Sequence, residues 1–283
     1  MTILIIVESP SKCQKIEKFL GKGYKCIASF GHICELTNIL VKNNFHPEFK
    51  LLRNKNKNIK NLSDSIKKAS EVILATDDDR EGEAIAWHIC RIAKLPIATT
   101  KRIIFHEITE KAIKQAVANP TIIDMKKVHA QLGRQVLDRL VGYTVSPTLW
   151  TSDKNNKLSA GRCQTPALRI VYDNQIDIDN EPGKRVFETT GYFLKNNLEF
   201  QLTTEFESEK KVDEFLEETV NFDHKITETP KIKKTEKKAP TPFSTSLLQQ
   251  KASNEIKFSP KLTMQVAQKL YEGGHITYMR TDN

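Results

Sequence analysis

Two short apolar runs, each ending in acid, constrain this chain more than any other feature. Ile3-Leu4-Ile5-Ile6-Val7 passes directly into Glu8-Ser9-Pro10-Ser11-Lys12, and Val72-Ile73-Leu74-Ala75 breaks into Thr76-Asp77-Asp78-Asp79-Arg80-Glu81-Gly82-Glu83. Aliphatic runs without polar alternation read as strands buried on both faces, the pattern of a parallel sheet. After the second run, Ala84, Ile85, Trp87, His88 and Ile92 recur at helical spacing, so the predicted unit is strand, acidic loop, helix. Residues two apart in an extended loop project alike, which makes Asp77 and Asp79 converge. Two parallel strands ending in carboxylates bring Glu8 beside them. Open α/β sheets place ligands at strand carboxyl ends, and hard oxygens of this kind suit Mg2+. The alternative is acid-rich capping of the following helix, where anions are mildly favourable.

The 283 residues, 39% of them hydrophobic, are enough for roughly two domains. A net charge of +9 suits a polyanionic partner without identifying it. Lysines are densest over residues 50–68 and 225–238, runs that also read as solvated loops. Cys13, Cys26, Cys34, Cys90 and Cys163 lack CxxC spacing, which points to reduced thiols rather than a zinc finger or disulfide framework. No apolar stretch approaches the ~18 residues a membrane helix needs, and the first run is too short for a signal peptide and lacks a basic leader. The expected setting is cytoplasmic (nucleoid-associated) or otherwise intracellular, not secreted, with no membrane partner.

Along the chain, residues 11–20 read as a helix stopped by Gly21, and 24–30 as a strand. Residues 36–61 are basic, Asn-rich and poorly periodic, a loop-like insertion in the sheet domain. A strand is expected over 101–109, then a helix over 110–119 capped by Thr109. A long helix over 124–141, stopped by Gly142, carries Val128, Leu132, Val136 and Leu140 on one face. Arg134 and Asp138 are placed to pair at i,i+4, which by itself is an ordinary surface ion pair. Residues 187–194 and 198–206 read as a β hairpin, and 212–218 as a short helix. A further strand and a Lys-rich segment then run to the boundary Pro240-Thr241-Pro242. Helices over 246–256 and 259–273 follow, the second with Leu262, Val266, Ala267 and Leu270 on its apolar face.

VESPSK and TDDDREGEAIAWH together resemble the two motifs of the TOPRIM domain of type IA DNA topoisomerases. They are closer to the bacterial topoisomerase I branch than to the topoisomerase III branch, where the first motif usually reads EKPS. Gly31-His32-Ile33 resembles a segment lying near single-stranded DNA in the family, which makes His32 a candidate contact; a lone histidine also reads as a packed turn residue. FHEIT resembles FNEIT, with His106 where Asn is usual. RQVLDRLVGYTVSPTLW resembles the family helix whose arginines hold the DNA backbone, implying Arg134, Gln135 and above all Arg139; Gln135 stands where some members carry arginine. LSAGRCQTPA resembles LSAGRVQSPA, with Cys163 for valine. A small-residue loop feeding a helix suits phosphate, so Ser159, Ala160, Gly161, Arg162, Cys163 and Gln164 are expected on DNA. PFSTSLLQQKAS and GHITYMRTDN are also similar to family segments, the second carrying the nucleophilic tyrosine, here Tyr278.

The resemblance implies α/β architecture. It comprises a TOPRIM-type parallel sheet domain (1–122), a mainly helical DNA-binding region (123–180), the start of a β-rich arch (181–240) and the start of a helical tyrosine-bearing domain (241–283). It implies a monomer acting on single-stranded segments of negatively supercoiled DNA. Tyr278 would attack the backbone and leave a 5′-phosphotyrosyl enzyme. Because a phenol of pKa about 10 is a weak nucleophile, Arg280 and Lys12 would supply positive surroundings, Arg280 also binding phosphate. Glu8 would carry the proton to the leaving oxygen; Glu8, Asp77 and Asp79 would share Mg2+, Glu81 would support them, and Arg80 would ease their repulsion. No glycine-rich phosphate loop is present, in keeping with nucleotide-free resealing. Family members continue well past the tyrosine, so the expectation is an N-terminal fragment or a short version that binds Mg2+ and DNA but does not pass strands alone. A TOPRIM nuclease or primase using only the acidic site, and a non-catalytic single-stranded-DNA-binding remnant, remain as alternatives.

Overall fold

Both acid-ended runs are strands of one sheet. The computed structural model describes residues 2–154, 157–181, 183–193, 195–223, 225 and 231–280. In it β1 (Ile3–Val7) pairs in parallel with β2 (Tyr24–Ala28) and with β5 (Glu71–Leu74), which pairs with the short β6 (Lys101–Arg102). The order is β2-β1-β5-β6, so β1 and β5 are central and need apolar residues on both faces. Ile5 and Val7 pack with Ile16 of α1 (Cys13–Leu20), Ile113 of α4 (Glu110–Ala118) and Tyr271 of α9 (Pro260–Glu272). Leu4 and Ile6 face the other layer. It holds Ile59, Leu62 and Ile66 of α2 (Asn56–Lys68), Ile85 and Ile89 of α3 (Arg80–Ala93) and Val128 of α5 (Met125–Asp153). Each such aliphatic side chain stabilises the fold by about 1.5–3 kcal/mol on leaving water.

The chain forms two units, Met1–Arg162 with Pro240–Asn283, and Cys163–Ala239. Within the first, α8 (Thr245–Ile256) and α9 begin at Ser244 and Ser259, whose hydroxyls accept from Leu247 N and Leu262 N, the usual serine cap. Thr109 caps α4 in the same way through Ala112 N. The second unit contains α6 (Gln164–Asn180), the antiparallel pair β7 (Thr190–Phe193) and β8 (Leu198–Gln201), and α7 (Glu209–Thr219). A Phe187–Phe206 bridge extends the hairpin. Leu194 of the expected strand lies outside the described residues. The strand expected ahead of Pro240 falls partly on residues 226–230, also outside them, and the described remainder carries none.

Three expectations are corrected. Residues 36–61 are not loop-like: β3 (Cys34–Leu40) and β4 (His46–Leu51) form an antiparallel hairpin, and α2 begins within the same stretch. Asn and Lys diluted the helix signal, yet Ile59, Leu62 and Ile66 recur at spacings of three and four and are all buried. The strand over 101–109 is only two residues long; Ile103 N still donates to Leu74 O at 2.8 Å before the chain turns off the sheet. The long helix does not stop at Gly142 but runs 29 residues, through Gly142 and Pro147. A Cβ at Gly142 would sit 3.8 Å from Ala160 O, so this glycine lies where a returning segment packs against the helix.

His88 on α3 is buried against Phe49 and Trp87, with ring centroids 4.6 and 4.8 Å away. Burial, with the positive charges of His32 and Arg91, depresses its pKa to about 4. The unfolded chain takes up that proton at about pH 6.5 and the folded one does not, so this contribution to stability is complete above about pH 6.5 and is lost as pH falls toward 4. The expected loss is on the order of 3 kcal/mol. Urea midpoints measured across that range should fall more steeply for the parent than for His88→Leu; equal slopes would show that His88 is not the titrating group.

Candidate active site

The acidic loop is shaped from below by a buried ion pair. Arg102, fully buried, donates from Nε to Glu83 Oε2 (2.6 Å), from Nη1 to Thr76 O and Oγ1 (3.1 and 2.7 Å), and from Nη2 to Asp77 O (3.0 Å). Thr76 Oγ1 donates on to Gly82 O at 2.7 Å, and Glu83 Oε1 accepts from Asp124 N at 2.5 Å. The loop thereby ties β5, the first turn of α3 and the start of α5 together. Asp79 caps α3 by accepting from Gly82 N at 2.7 Å. A Cβ at Gly82 would lie 2.2 Å from Asp77 O, so only glycine admits this fold-back.

Above that frame the carboxylates meet the chain's own cations and phenols. Lys12, fully buried, donates to Asp77 Oδ1, and its Nζ lies 4.7 Å from the Tyr271 ring centroid. Burial raises the pKa of Glu8 to about 7; the charges of Asp77, Asp79 and Glu81 add to this, and Lys12 opposes it. Burial also raises Asp77, against the pull of Lys12. Tyr278 arrives from beyond α9: its N donates to His106 O at 2.7 Å, its ring lies 5.0 Å from that of Tyr271, and its Oη donates to Asp79 Oδ2 at 2.6 Å. Burial and that donated bond push the phenol well above the usual tyrosine range. Arg280 Nη1 lies 3.3 Å from both Asp79 Oδ2 and Glu81 Oε2, and His32 Nε2 lies 2.8 Å from Glu81 Oε1. A cleft of about 670 Å³ beside α9 is lined by Glu8, Asp77, Tyr278 and Arg280.

Glu8, Lys12, Asp77, Asp79, Glu81, Tyr278 and Arg280, separated by up to 272 positions, thus converge. Arg80 does not join them: it is exposed and makes no ion pair among the described residues. Lys12 and Arg280 offset the acids instead, and Lys127 Nζ, 2.8 Å from Asp78 Oδ1, holds the middle aspartate. Among the described residues no three acid, His or Cys side chains are arranged to hold a metal ion. Asp77 and Asp79 are turned toward Lys12, Tyr278 and Arg280. The donor chemistry still fits a hard cation, since Glu8, Asp77, Asp79 and Glu81 are close enough that their charges add to burial in raising Glu8, and Mg2+ takes one or two carboxylates with waters.

The expected DNA residues are distributed more widely. His32, Gln135 and Arg139 line one groove of about 600 Å³ with Tyr143. Arg139 donates to Leu36 O and lies 5.1 Å from the Tyr143 ring centroid, while Gln135 Oε1 is buried without a hydrogen-bond partner among the described residues. Asp138 draws in both Arg134, at 3.8 Å, and Arg162. Ser159, Ala160 and Gly161 follow α5, with Ala160 N donating to Ser146 Oγ at 3.0 Å. Cys163 and Gln164 begin the second unit at the start of α6, both exposed. Thr281, Asp282 and Asn283 of the tyrosine segment lie outside the described residues. Sequence reasoning missed Arg102, Tyr271, Tyr143 and the Lys127–Asp78–His106 cluster, in which His106 Nε2 lies 2.9 Å from Asp78 Oδ2. The arginine interrupting Lys101-Arg102-Ile103-Ile104-Phe105 was a usable signal, because a charge in a buried run needs a partner.

Comparison with known proteins adds a second line of support. The family described as Toprim domain matches residues 3–108, and the family described as DNA topoisomerase matches residues 122–283. DNA topoisomerase 1 of Thermotoga maritima is 43% identical over 293 aligned residues, which cover 99% of this chain and 45% of that protein. The solved structure of full-length topoisomerase I from Thermotoga maritima matches with a TM-score of 0.84 at 40% identity, over 99% of this chain and 49% of that one. The chain spans about half the length of these relatives.

Proposed function

We propose a reaction from one premise: the chain belongs to the type IA DNA topoisomerase family, of the bacterial topoisomerase I kind. The proposed reaction is transient cleavage of one DNA strand through a 5′-phosphotyrosine at Tyr278, followed by resealing, with relaxation of negatively supercoiled DNA as its outcome and no nucleotide consumed. The observation that carries it is the Tyr278 Oη at 2.6 Å from Asp79, in a cleft shared with Glu8, Asp77 and Arg280. Tyr278 Oη attacks phosphorus as its proton passes toward Asp79. The bond from phosphorus to the 3′ oxygen breaks, and that oxygen takes a proton from Glu8, whose pKa of about 7 suits a group that must both hold and release one. Arg280 transfers from Asp79 and Glu81 to the phosphate oxygens as a charge-assisted donor. Glu8, Asp77 and Asp79, supported by Glu81, are the residues that would hold Mg2+, which when bound offsets their repulsion and polarises the phosphate. Reversal regenerates the strand, because the tyrosyl ester retains the energy of the broken bond.

Substrate binding falls to the groove of His32, Gln135 and Arg139, where the orphan Gln135 oxygen suits a base donor and Tyr143 offers a stacking face. Arg134, Arg162 and the segment Ser159 to Gln164 are the proposed backbone contacts. The test uses a 3′-labelled single-stranded oligonucleotide, Mg2+ and a denaturing quench. Label carried on the protein supports the reading. Labelled fragments with free 5′ phosphates would replace it with a metal-dependent nuclease, and binding without cleavage would replace it with a DNA-binding protein.

A further inference from the structure

The carboxyl ends of β1 and β5 carry the acids; the amino ends of the same strands lie beside a surface of opposite charge. Thr2 and Glu8 are six positions apart, about 20 Å of extended chain. A polar cleft of about 550 Å³ there is lined by Thr2, Lys25, Asn61, Asp64, Ser65 and Lys68. Lys57, Lys60, Asp64, Lys67 and Lys68 share the face of α2 opposite its buried Ile59, Leu62 and Ile66. The four lysines on that face and Lys25 are exposed, and none makes an ion pair or side-chain hydrogen bond among the described residues. Asp64 is the one carboxylate in this set.

Helix stability does not account for this pattern. Cations at a helix C-terminus complement the backbone dipole, which covers Lys67 and Lys68. Lys57 sits in the first turn, where the dipole repels it and no acid compensates, and Lys60 lies just beyond that turn, where the dipole gives it nothing. The row from Lys57 to Lys68 is about 16 Å long at 1.5 Å per residue, the axial rise of roughly five base pairs of a duplex. Asn61 and Ser65 between the lysines supply neutral donors of the kind that contact phosphate oxygens.

We propose that the lysine face of α2, with Lys25 on the neighbouring edge strand, is a second DNA-binding surface that takes the phosphodiester backbone of duplex DNA, apart from the cleft where the strand is cut. Neither α2 nor the lining of the neighbouring cleft carries an aromatic side chain on which unstacked bases could lie, so the face suits the phosphates of a duplex rather than a single strand. This inference rests on DNA being the substrate, and its test separates the two ideas. The full chain and the variant Lys57→Ala/Lys60→Ala/Lys67→Ala/Lys68→Ala are compared in binding a tailed duplex and a short single-stranded oligonucleotide over a series of salt concentrations. All four positions are exposed, and equal melting temperatures confirm that the variant is folded. The expected result is a tailed-duplex affinity lower by about 30-fold or more at low salt and a log–log salt slope shallower by about 3. Single-strand affinity and Tyr278 adduct formation should stay within about twofold. Unchanged duplex affinity and slope, with the parent still forming adduct, would overturn the surface alone. A lysine-dependent duplex affinity without any adduct would retain the surface and overturn the cleavage reading. Displacement of duplex by polyglutamate at equal charge concentration would assign the face to an acidic protein and overturn the DNA assignment.

Discussion

Tyr278→Phe is expected to abolish the denaturant-resistant DNA–protein adduct, by at least a factor of about 1,000, while leaving single-strand affinity within about twofold. The substitution removes one oxygen. The phenyl ring still packs against Tyr271 in the layer that holds Met279, and Asp79 keeps Gly82 N and Arg280 as partners. The loss is therefore of a nucleophile rather than of a fold. A parent-level adduct in the variant would mean that another side chain attacks. Failure of both proteins to bind DNA would remove the substrate assignment.

Arg102→Met is expected to give the largest loss of stability from a single substitution, about 3–5 kcal/mol, because it leaves Glu83 ionised and buried without its partner. Thr76 and Asp77 lose their donors in the same step. The double variant Arg102→Met/Glu83→Leu should recover part of that loss, since apolar replacement of both partners avoids the stranded charge. Urea titrations of the parent, both single variants and the double variant give the coupling. An additive double variant would show that the pair is not the source of the cost. The acidic loop is built on this pair, so the single variant should also weaken adduct formation.

The acidic half of the site was legible because its residues sit in two contiguous stretches whose strand–loop–helix pattern points to one sheet edge. The helices over 13–20, 110–118, 245–256 and 260–272 were legible for a similar reason: an apolar stripe bounded by Ser, Thr, Pro or Gly. What was missed depended on long-range packing. Hairpin residues Cys34–Leu51 are only partly covered, so their apolar alternation is weak. Gly142 reads locally as a stop, yet the helix passes through it beneath the segment holding Ala160. The approach of Tyr278 to Asp79 spans 199 positions and rests on packing against Tyr271 and on the backbone bond from Tyr278 N to His106 O, which no local pattern encodes. Lys12 and Arg280 were foreseen as helpers of the phenol; their salt bridges to Asp77, Asp79 and Glu81 follow from a crowding of negative charge visible only once the strands are aligned.

Asp79 has a further consequence. The oxygen that receives the Tyr278 hydroxyl also lies within reach of Arg280, so the two groups to which the proposed reaction gives attack and phosphate binding are tied to each other through one carboxylate. An incoming phosphate must compete for the arginine, and an incoming cation for the carboxylate, before the hydroxyl is released. On the proposed reaction, scission would be conditional on correct loading, a safety catch against idle nicking built into one shared oxygen.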